Sequence, residues 1–234
     1  MAKAIVLSSG GLDSTTCLSL AIKEMGEENV MTVSVSYGQK HSKELECANK
    51  VAHFYGVPHK VIDLSNTGIM DDSDCPLLTG STKEIPHKSY DQQIKENGQG
   101  MVSTYVPFRN GLMLSSIAAL AMAKYPDEDV HIYIGVHADD AAGNAYADCS
   151  PHFIDAMYDA IYFGTYGKVR ITAPFVKKNK AQVVRTGLVL GTPYHLTWSC
   201  YEGGDKPCGK CGTCIDRAAA FAANGVEDPA LKEE

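Results

Sequence analysis

Residues Lys3–Met25, KAIVLSSGGLDSTTCLSLAIKEM, decide how the rest of the chain is read. A short apolar run, Ala4–Leu7, leads into Ser8-Ser9-Gly10-Gly11-Leu12-Asp13-Ser14, and an amphipathic helical pattern begins near Ser14. A strand that passes through glycines into a helix is a ready anion site. Glycine lets the backbone approach a ligand closely, the first helical N–H groups lack partners within the helix, and the helix dipole adds positive potential. A lone Gly-Gly is more often an ordinary turn. Three serine hydroxyls and the Asp13 carboxylate crowded around this one favour a phosphate ligand.

Outward from this stretch, strand and helix patterns alternate. Val30–Tyr37 (VMTVSVSY) alternates and is rich in valine, which predicts a second strand. Lys43–Tyr55 carries Leu45, Ala48, Val51, Ala52 and Tyr55 on one helical stripe, closed by Gly56. His59–Leu64 (HKVIDL) gives a third strand. Leu112–Lys124 reads as a buried helix, His131–Val136 as a fourth strand, Ser150-Pro151 as the start of another helix and Lys168–Pro174 as a fifth strand. Asn179–Leu190 is a helix with Asn179 as N-cap and Gly191 as stop. The alternation predicts an α/β fold: a parallel five-stranded sheet with right-handed crossovers and helices on both faces.

Two segments break the rhythm. Ser65–Thr104 holds Asp, Ser, Pro, Gly and Lys without periodicity and is far longer than an ordinary connection, which predicts a functional flap, with a solvated loop as the plain alternative. Asp71, Asp72 and Asp74 within it read as solvated acids. His137–Cys149 leaves the carboxyl end of the fourth strand, where open α/β sheets bind their ligands, so Asp139, Asp140 and Asp148 are placed to touch one. The end from Asn224 reads as a polar terminus.

Composition narrows the class. The 234 residues are 44% hydrophobic and 21% charged, the balance of a globular protein. A net charge of -7 argues against a surface built for nucleic acid and for small ligands. No segment reaches bilayer length, and the start MAKAIVLSSGG lacks an h-region and cleavage site, so a cytoplasmic protein without membrane contact is expected. Four of the eight cysteines, Cys200, Cys208, Cys211 and Cys214, lie within TWSCYEGGDKPCGKCGTC. Paired C-x-x-C steps let thiolates grip one ion from tight turns; four of them suit tetrahedral zinc, with an iron–sulfur cluster as the less favoured alternative. The closed set, with no position left for water, predicts a structural role. Cys17 and Cys47 fall in predicted helices and read as small core residues, Cys75 lies in the long loop, and Cys149 in the ligand loop is expected to be structural.

Ser9-Gly10-Gly11-Leu12-Asp13-Ser14 resembles the SGGxDS signature of the PP-loop, or N-type, ATP pyrophosphatases. It is not a Walker A loop, because no Gly-Lys-Ser/Thr follows. Tyr37-Gly38-Gln39-Lys40-His41, Tyr105-Val106-Pro107-Phe108-Arg109-Asn110, Gly135-Val136-His137-Ala138-Asp139-Asp140, Asp148-Cys149 and the block from Thr197 through Cys214 narrow this. Together they resemble the 7-cyano-7-deazaguanine synthase family, from Lys3 to about Ala222. The chain departs from that pattern at Ser103 and Ala147, where Asn and Pro are expected, and at Lys40, where Arg is usual.

The resemblance implies an adenine nucleotide alpha hydrolase-like domain over residues 1–191 and a zinc-binding region with a C-terminal helix over residues 192–234. It implies a ligase that converts 7-carboxy-7-deazaguanine, ammonia and ATP to the nitrile in queuosine biosynthesis, through adenylated carboxylate and amide. The expected partners are these small molecules, with ATP carried by magnesium, free ammonia as the nitrogen source, and a second copy of the chain in a homodimer. For the ATP site it implies Ser8, Ser9, Gly10, Gly11, Leu12, Asp13, Ser14, Thr15, Thr16, Cys17 and Leu18. Asp13, Ser14, Arg109 and Lys180 are the candidate catalytic groups, although a solvated face also explains Lys180. Asp140 and Asp148 are the favoured acceptors for the N–H edge of the guanine-like ring, and adenine is expected near Val35–Tyr37. Two other readings remain open: another PP-loop adenylating enzyme such as a tRNA thiolase, which calls for a basic tRNA surface, and a non-enzymatic zinc-ribbon module, which has no need of Ser9–Ser14.

Overall fold

A computed structural model describes residues 2–97 and 100–231; the predicted polar tail therefore runs out, at 232–234, beyond the described residues. The opening run forms β1 (Lys3–Leu7), the middle strand of a parallel sheet. On one side lie β2 (Val30–Ser36) and β3 (His59–Asp63); on the other lie β4 (Val130–Tyr133) and β5 (Val169–Thr172). The order is β3-β2-β1-β4-β5, with Ile5 in register with Met31 and Ile132. The five-stranded parallel α/β architecture is as the sequence predicts.

The two-residue period of β1 sets the layers. Ile5 and Leu7 pack into one core layer with α4 (Arg109–Lys124) and α6 (Pro151–Gly164). Ala4 and Val6 pack into the other, with α1 (Leu12–Met25), α2 (Lys43–Phe54), α7 (Lys180–Leu190) and α8 (Gly212–Ala222). Leu18 and Ile117, one in each layer, are fully buried, and each contributes roughly 2 kcal/mol over an exposed position. The segment after Gly191 belongs to the second layer too, through Tyr194, Ala220 and Phe221. The Arg217 guanidinium, itself buried, donates to both oxygens of Asp228 at 2.5 and 2.8 Å.

The connectivity opens the site. From β1 the chain runs to β2 and β3 on one side, then returns past β1 to β4 on the other, leaving a crevice beyond the carboxyl ends of β1 and β4. β4 ends sooner than predicted because the chain turns into this crevice at Ile134–Val136, and β5 is shorter than predicted at both ends. The Ile134 N–H still donates to the Thr172 carbonyl at 3.0 Å, but Gly135 then lies so close to the first turn of α1 that a Cβ would stand 2.8 Å from the Asp13 carbonyl oxygen. Ser65–Thr104 is not a solvated loop. It contains α3 (Tyr90–Asn97), which its sequence does not announce, and buries Cys75, Leu77, Leu78 and Val102 against the α4 side of the sheet.

Candidate active site

The loop between β1 and α1 is held as a cradle. The Ser9 and Ser14 hydroxyl oxygens stand 3.1 Å apart, the Gly11 N–H donates to Ser9 Oγ at 3.3 Å, and the Ser9 N–H donates to Ser14 Oγ at 3.2 Å. Gly10 adopts φ +75°, where a side chain is strained, and a Cβ there would lie 2.5 Å from the Ala48 nitrogen and collide with the Glu44 carbonyl oxygen. The Trp198 N–H donates to the Gly10 carbonyl at 2.9 Å, so the chain leading into the cysteine block braces the cradle from the other side. The cleft in front of it occupies about 1150 Å³, counting its open mouth.

Charge converges on Asp13. Lys180, 8% exposed, places Nζ 3.1 Å from Asp13 Oδ2, which excludes the solvated-face reading of that lysine. His137 Nε2 lies 3.6 Å from Asp13 Oδ1, 3.3 Å from Asp140 Oδ1 and 3.4 Å from Lys180 Nζ. Burial pushes the Asp13 carboxyl up, but the charges of Lys180 and His137 outweigh it and hold the group well below the usual carboxylate range. Burial likewise lowers His137 and Lys180, yet the carboxylates of Asp140 and Asp13 draw both above their ordinary values. The result is a mixed-charge cluster at the N-terminus of α1, beside the cradle.

The remaining walls come from the excursion and from the cysteine block. Phe108, in the left-handed conformation at φ 50° with its N–H donating to Tyr105 Oη, turns the chain into α4 so that Arg109 enters the cleft. The Arg109 guanidinium lies 5.9 Å from the Tyr37 ring centre. Tyr90 of α3 hydrogen-bonds to Tyr201 at 2.9 Å, and Tyr146 bonds to Thr104 at 2.7 Å, so hydroxyl contacts seat the excursion over the cleft. Cys200, Cys208, Cys211 and Cys214 bring their sulfurs within 4.8 Å of one another. A tetrahedral ion with 2.3 Å bonds to sulfur needs about 3.8 Å between ligands, so the four fit such an ion after a small contraction. Backbone N–H groups of Cys208, Lys210 and Cys211 already point at sulfur, at 3.3 to 3.4 Å, the donor pattern that supports thiolates.

Residues 3–225 match the family described as "Queuosine biosynthesis protein QueC". The chain belongs to that family. It is 43% identical to a 7-cyano-7-deazaguanine synthase of Archaeoglobus fulgidus over 99% of this chain and 91% of that one. A relative of the same name from Caldicellulosiruptor bescii is 40% identical over 97% and 96% of the two chains, and one from Psychromonas ingrahamii 38% identical over 99% and 98%.

Within this QueC-family chain the predicted residues divide. Ser8, Ser9, Gly11, Leu12, Asp13 and Ser14 line the cleft, as do Arg109, Asp140 and Lys180 and the expected adenine wall at Val35 and Tyr37. Thr15, Thr16, Cys17 and Leu18 do not. The helical turn carries them into the core, where the Thr15 N–H is spent on the Gly11 carbonyl and the Thr16 hydroxyl on Leu12 and Tyr194. Asp148 is also turned away: its carboxylate accepts from the Asn110 N–H at 2.9 Å, satisfying the first turn of α4, and it is 3% exposed. Asp139 is occupied by the Lys180 N–H at 2.7 Å. Asp140 alone of the three carboxylates lines the cleft. Glu44, Tyr90, Tyr146 and Tyr201 also stand on its wall. Of these, Tyr146 carries a signal in the sequence by its place in the ligand loop, and Tyr201 by its place beside Cys200.

Proposed function

We propose that this chain converts 7-carboxy-7-deazaguanine, ammonia and ATP into 7-cyano-7-deazaguanine, in the cytoplasm, as a homodimer. Its relatives' names supply the substrate class. The observation that carries the chemistry is the cradle of Ser9, Gly11 and Ser14 set beside the part-buried Asp13–Lys180 pair, in one cleft that Arg109 also enters.

A carboxylate is a poor electrophile at neutral pH, and adenylation cures this. A substrate carboxylate oxygen attacks the α-phosphorus of ATP, and pyrophosphate leaves. Charge grows on the departing oxygen, where the Gly11 N–H, the Ser9 and Ser14 hydroxyls and Lys180 meet it with preorganised donors. Arg109 fits the carboxylate or the α-phosphate, since its planar fork matches either. Asp140 accepts N–H groups of the purine edge, while Asp148 holds the start of α4, and with it Arg109, from behind. Asp13 Oδ1, buried with no hydrogen-bond partner among the described residues, is the hard oxygen suited to magnesium, which would neutralise charge on the leaving pyrophosphate. Zinc suits the four cysteine sulfurs and would supply rigidity to the wall at Trp198–Tyr201. Ammonia displaces AMP to give an amide, whose oxygen a second ATP activates at the same cradle. Loss of AMP then leaves the nitrile.

Incubation with 7-carboxy-7-deazaguanine, ATP, magnesium and ammonium tests the proposal. Mass spectrometry should find amide and then nitrile; a chain that makes neither is not this enzyme. Light scattering should give twice the chain mass, and a monomer would refute the dimer.

A further inference from the structure

The nitrogen steps of this reaction move protons as well. Ammonium carries four N–H bonds and a nitrile nitrogen carries none, so four protons must leave nitrogen for each nitrile formed. A group able to accept protons near neutral pH is required close to the reacting nitrogen.

The cleft offers few. No histidine lines it among the described residues. Asp13 is paired with Lys180 at 3.1 Å through Oδ2, and Asp140 faces His137 at 3.3 Å, so each carboxylate already has a cation beside it. Burial pushes the thiol of Cys149 and the hydroxyls of Tyr37, Tyr90, Tyr146 and Tyr201 above their ordinary values, so they hold their protons. Glu44 remains. It sits in the first turn of α2, its side chain lines the cleft, and among the described residues the carboxylate has neither a hydrogen-bond nor an ion-pair partner. Its own backbone carbonyl is pressed against Gly10, which fixes the residue beside the cradle.

Resting on the function proposed above, we propose that Glu44 is the proton acceptor for the nitrogen steps. In the first step, a proton passes from ammonium to the Glu44 carboxylate as an N–H bond breaks. The freed lone pair forms the C–N bond, AMP leaves with the C–O electron pair, and the nitrogen sheds a second proton. In the second step, the adenylated amide loses an N–H proton to Glu44, and that bond's electrons become the new C–N π bond. The C–O bond breaks towards AMP, and the last N–H proton departs. Glu44 returns each proton to water at the cleft mouth.

The electrostatic setting agrees. Burial pushes the Glu44 carboxyl up to about 7, against the opposing pull of Arg109. The other titratable groups that sense it are the Tyr37 hydroxyl at the end of β2 and the Cys47 thiol on its own helix, both neutral at this pH because burial raises them. A carboxylate raised towards neutrality holds a proton more firmly than an ordinary one and so removes it from nitrogen more readily.

Glu44→Gln tests this in the full-length protein, with two readouts: exchange of labelled pyrophosphate into ATP that depends on 7-carboxy-7-deazaguanine, and ammonium-dependent amide formation. The loss should fall on the nitrogen steps alone. Amide formation drops by about 10²–10⁴-fold, while ATP binding and the exchange reaction persist. The wild-type rate of amide formation should rise with pH through about 7, the variant's should not, and Glu44→Asp should recover part of the rate. Amide formation at the wild-type rate in Glu44→Gln would overturn the proposal, and so would equal losses in both readouts, which mark a role in ATP or substrate binding. Wild-type protein that shows neither exchange nor amide would instead overturn the function on which the proposal rests.

Discussion

Replacing Lys180 by Met removes the cation beside the cradle while keeping most of the stem. Lys180 is 8% exposed, with Nζ 3.1 Å from Asp13 Oδ2. In the variant, Asp13 retains only His137, at 3.6 Å. Removing one partner of a buried pair costs about 3–5 kcal/mol. The Asp13 side chain keeps 24% of its exposure, so the lower end of that range, about 3 kcal/mol, is expected. At about 2–4 °C per kcal/mol for a chain of this size, the melting temperature falls by roughly 6–12 °C. Loss of a preorganised donor to the leaving pyrophosphate slows its release by about 10²–10³-fold. The effect on stability has a definite sign with pH. Lys180 holds the folded Asp13 carboxyl below its ordinary value of 3.8, so the pair stabilises the fold above that pH and stops doing so as pH falls further. Thermal melts of both proteins between pH 3 and pH 7, with a coupled pyrophosphate assay at pH 7, measure both effects. A melting difference as large at pH 3 as at pH 7, or pyrophosphate release within about threefold of wild type, would refute the reasoning.

Three further outcomes follow from the geometry. Asp140→Asn should raise KM for the deazaguanine by about tenfold or more with little change in melting, while Asp148→Asn should lower melting through α4 and leave KM near wild type; the reverse pattern in steady-state kinetics would contradict the assignment. Glu44 shows the opposite linkage to Asp13. Because its folded value is raised from 4.5 to about 7, the folded state loses stability as pH rises between the two, so melts of Glu44→Gln should gain on wild type by about 1–2 kcal/mol at pH 8 relative to pH 5 after allowance for screening. Elemental analysis should find one zinc per chain, lost together with several degrees of melting temperature in Cys211→Ser, because structural zinc supports folding; unchanged melting would contradict a structural role.

The fold was legible because β1 and its neighbours alternate with helices whose apolar stripes are regular, and because Ser9–Ser14 marks where strand becomes helix. The end of β4 was not, since it depends on how near Gly135 comes to α1, a tertiary fact. Asp140 and Asp148 look equivalent in sequence; only the position of the Asn110 N–H separates a cleft residue from a helix partner. Thr15–Leu18 belong to the signature helix, yet α1 is enclosed on every side there, so all four lie in the core. Glu44 reads as an ordinary acid in the first turn of a helix, and nothing in its neighbours tells that Gly10 and Arg109 wall it in. The excursion concealed its role because Cys75, Leu77, Leu78 and Val102 are too scattered to form a period, although each is buried.

In the proposed reaction one cradle activates the substrate twice. Counting pyrophosphate against nitrile in a single reaction, by enzyme-coupled assay and mass spectrometry on the same sample, tests it most directly. Two pyrophosphates are expected for each nitrile, with the amide appearing first and then consumed. One pyrophosphate per nitrile, or amide that accumulates and is never converted while ATP remains, would contradict it.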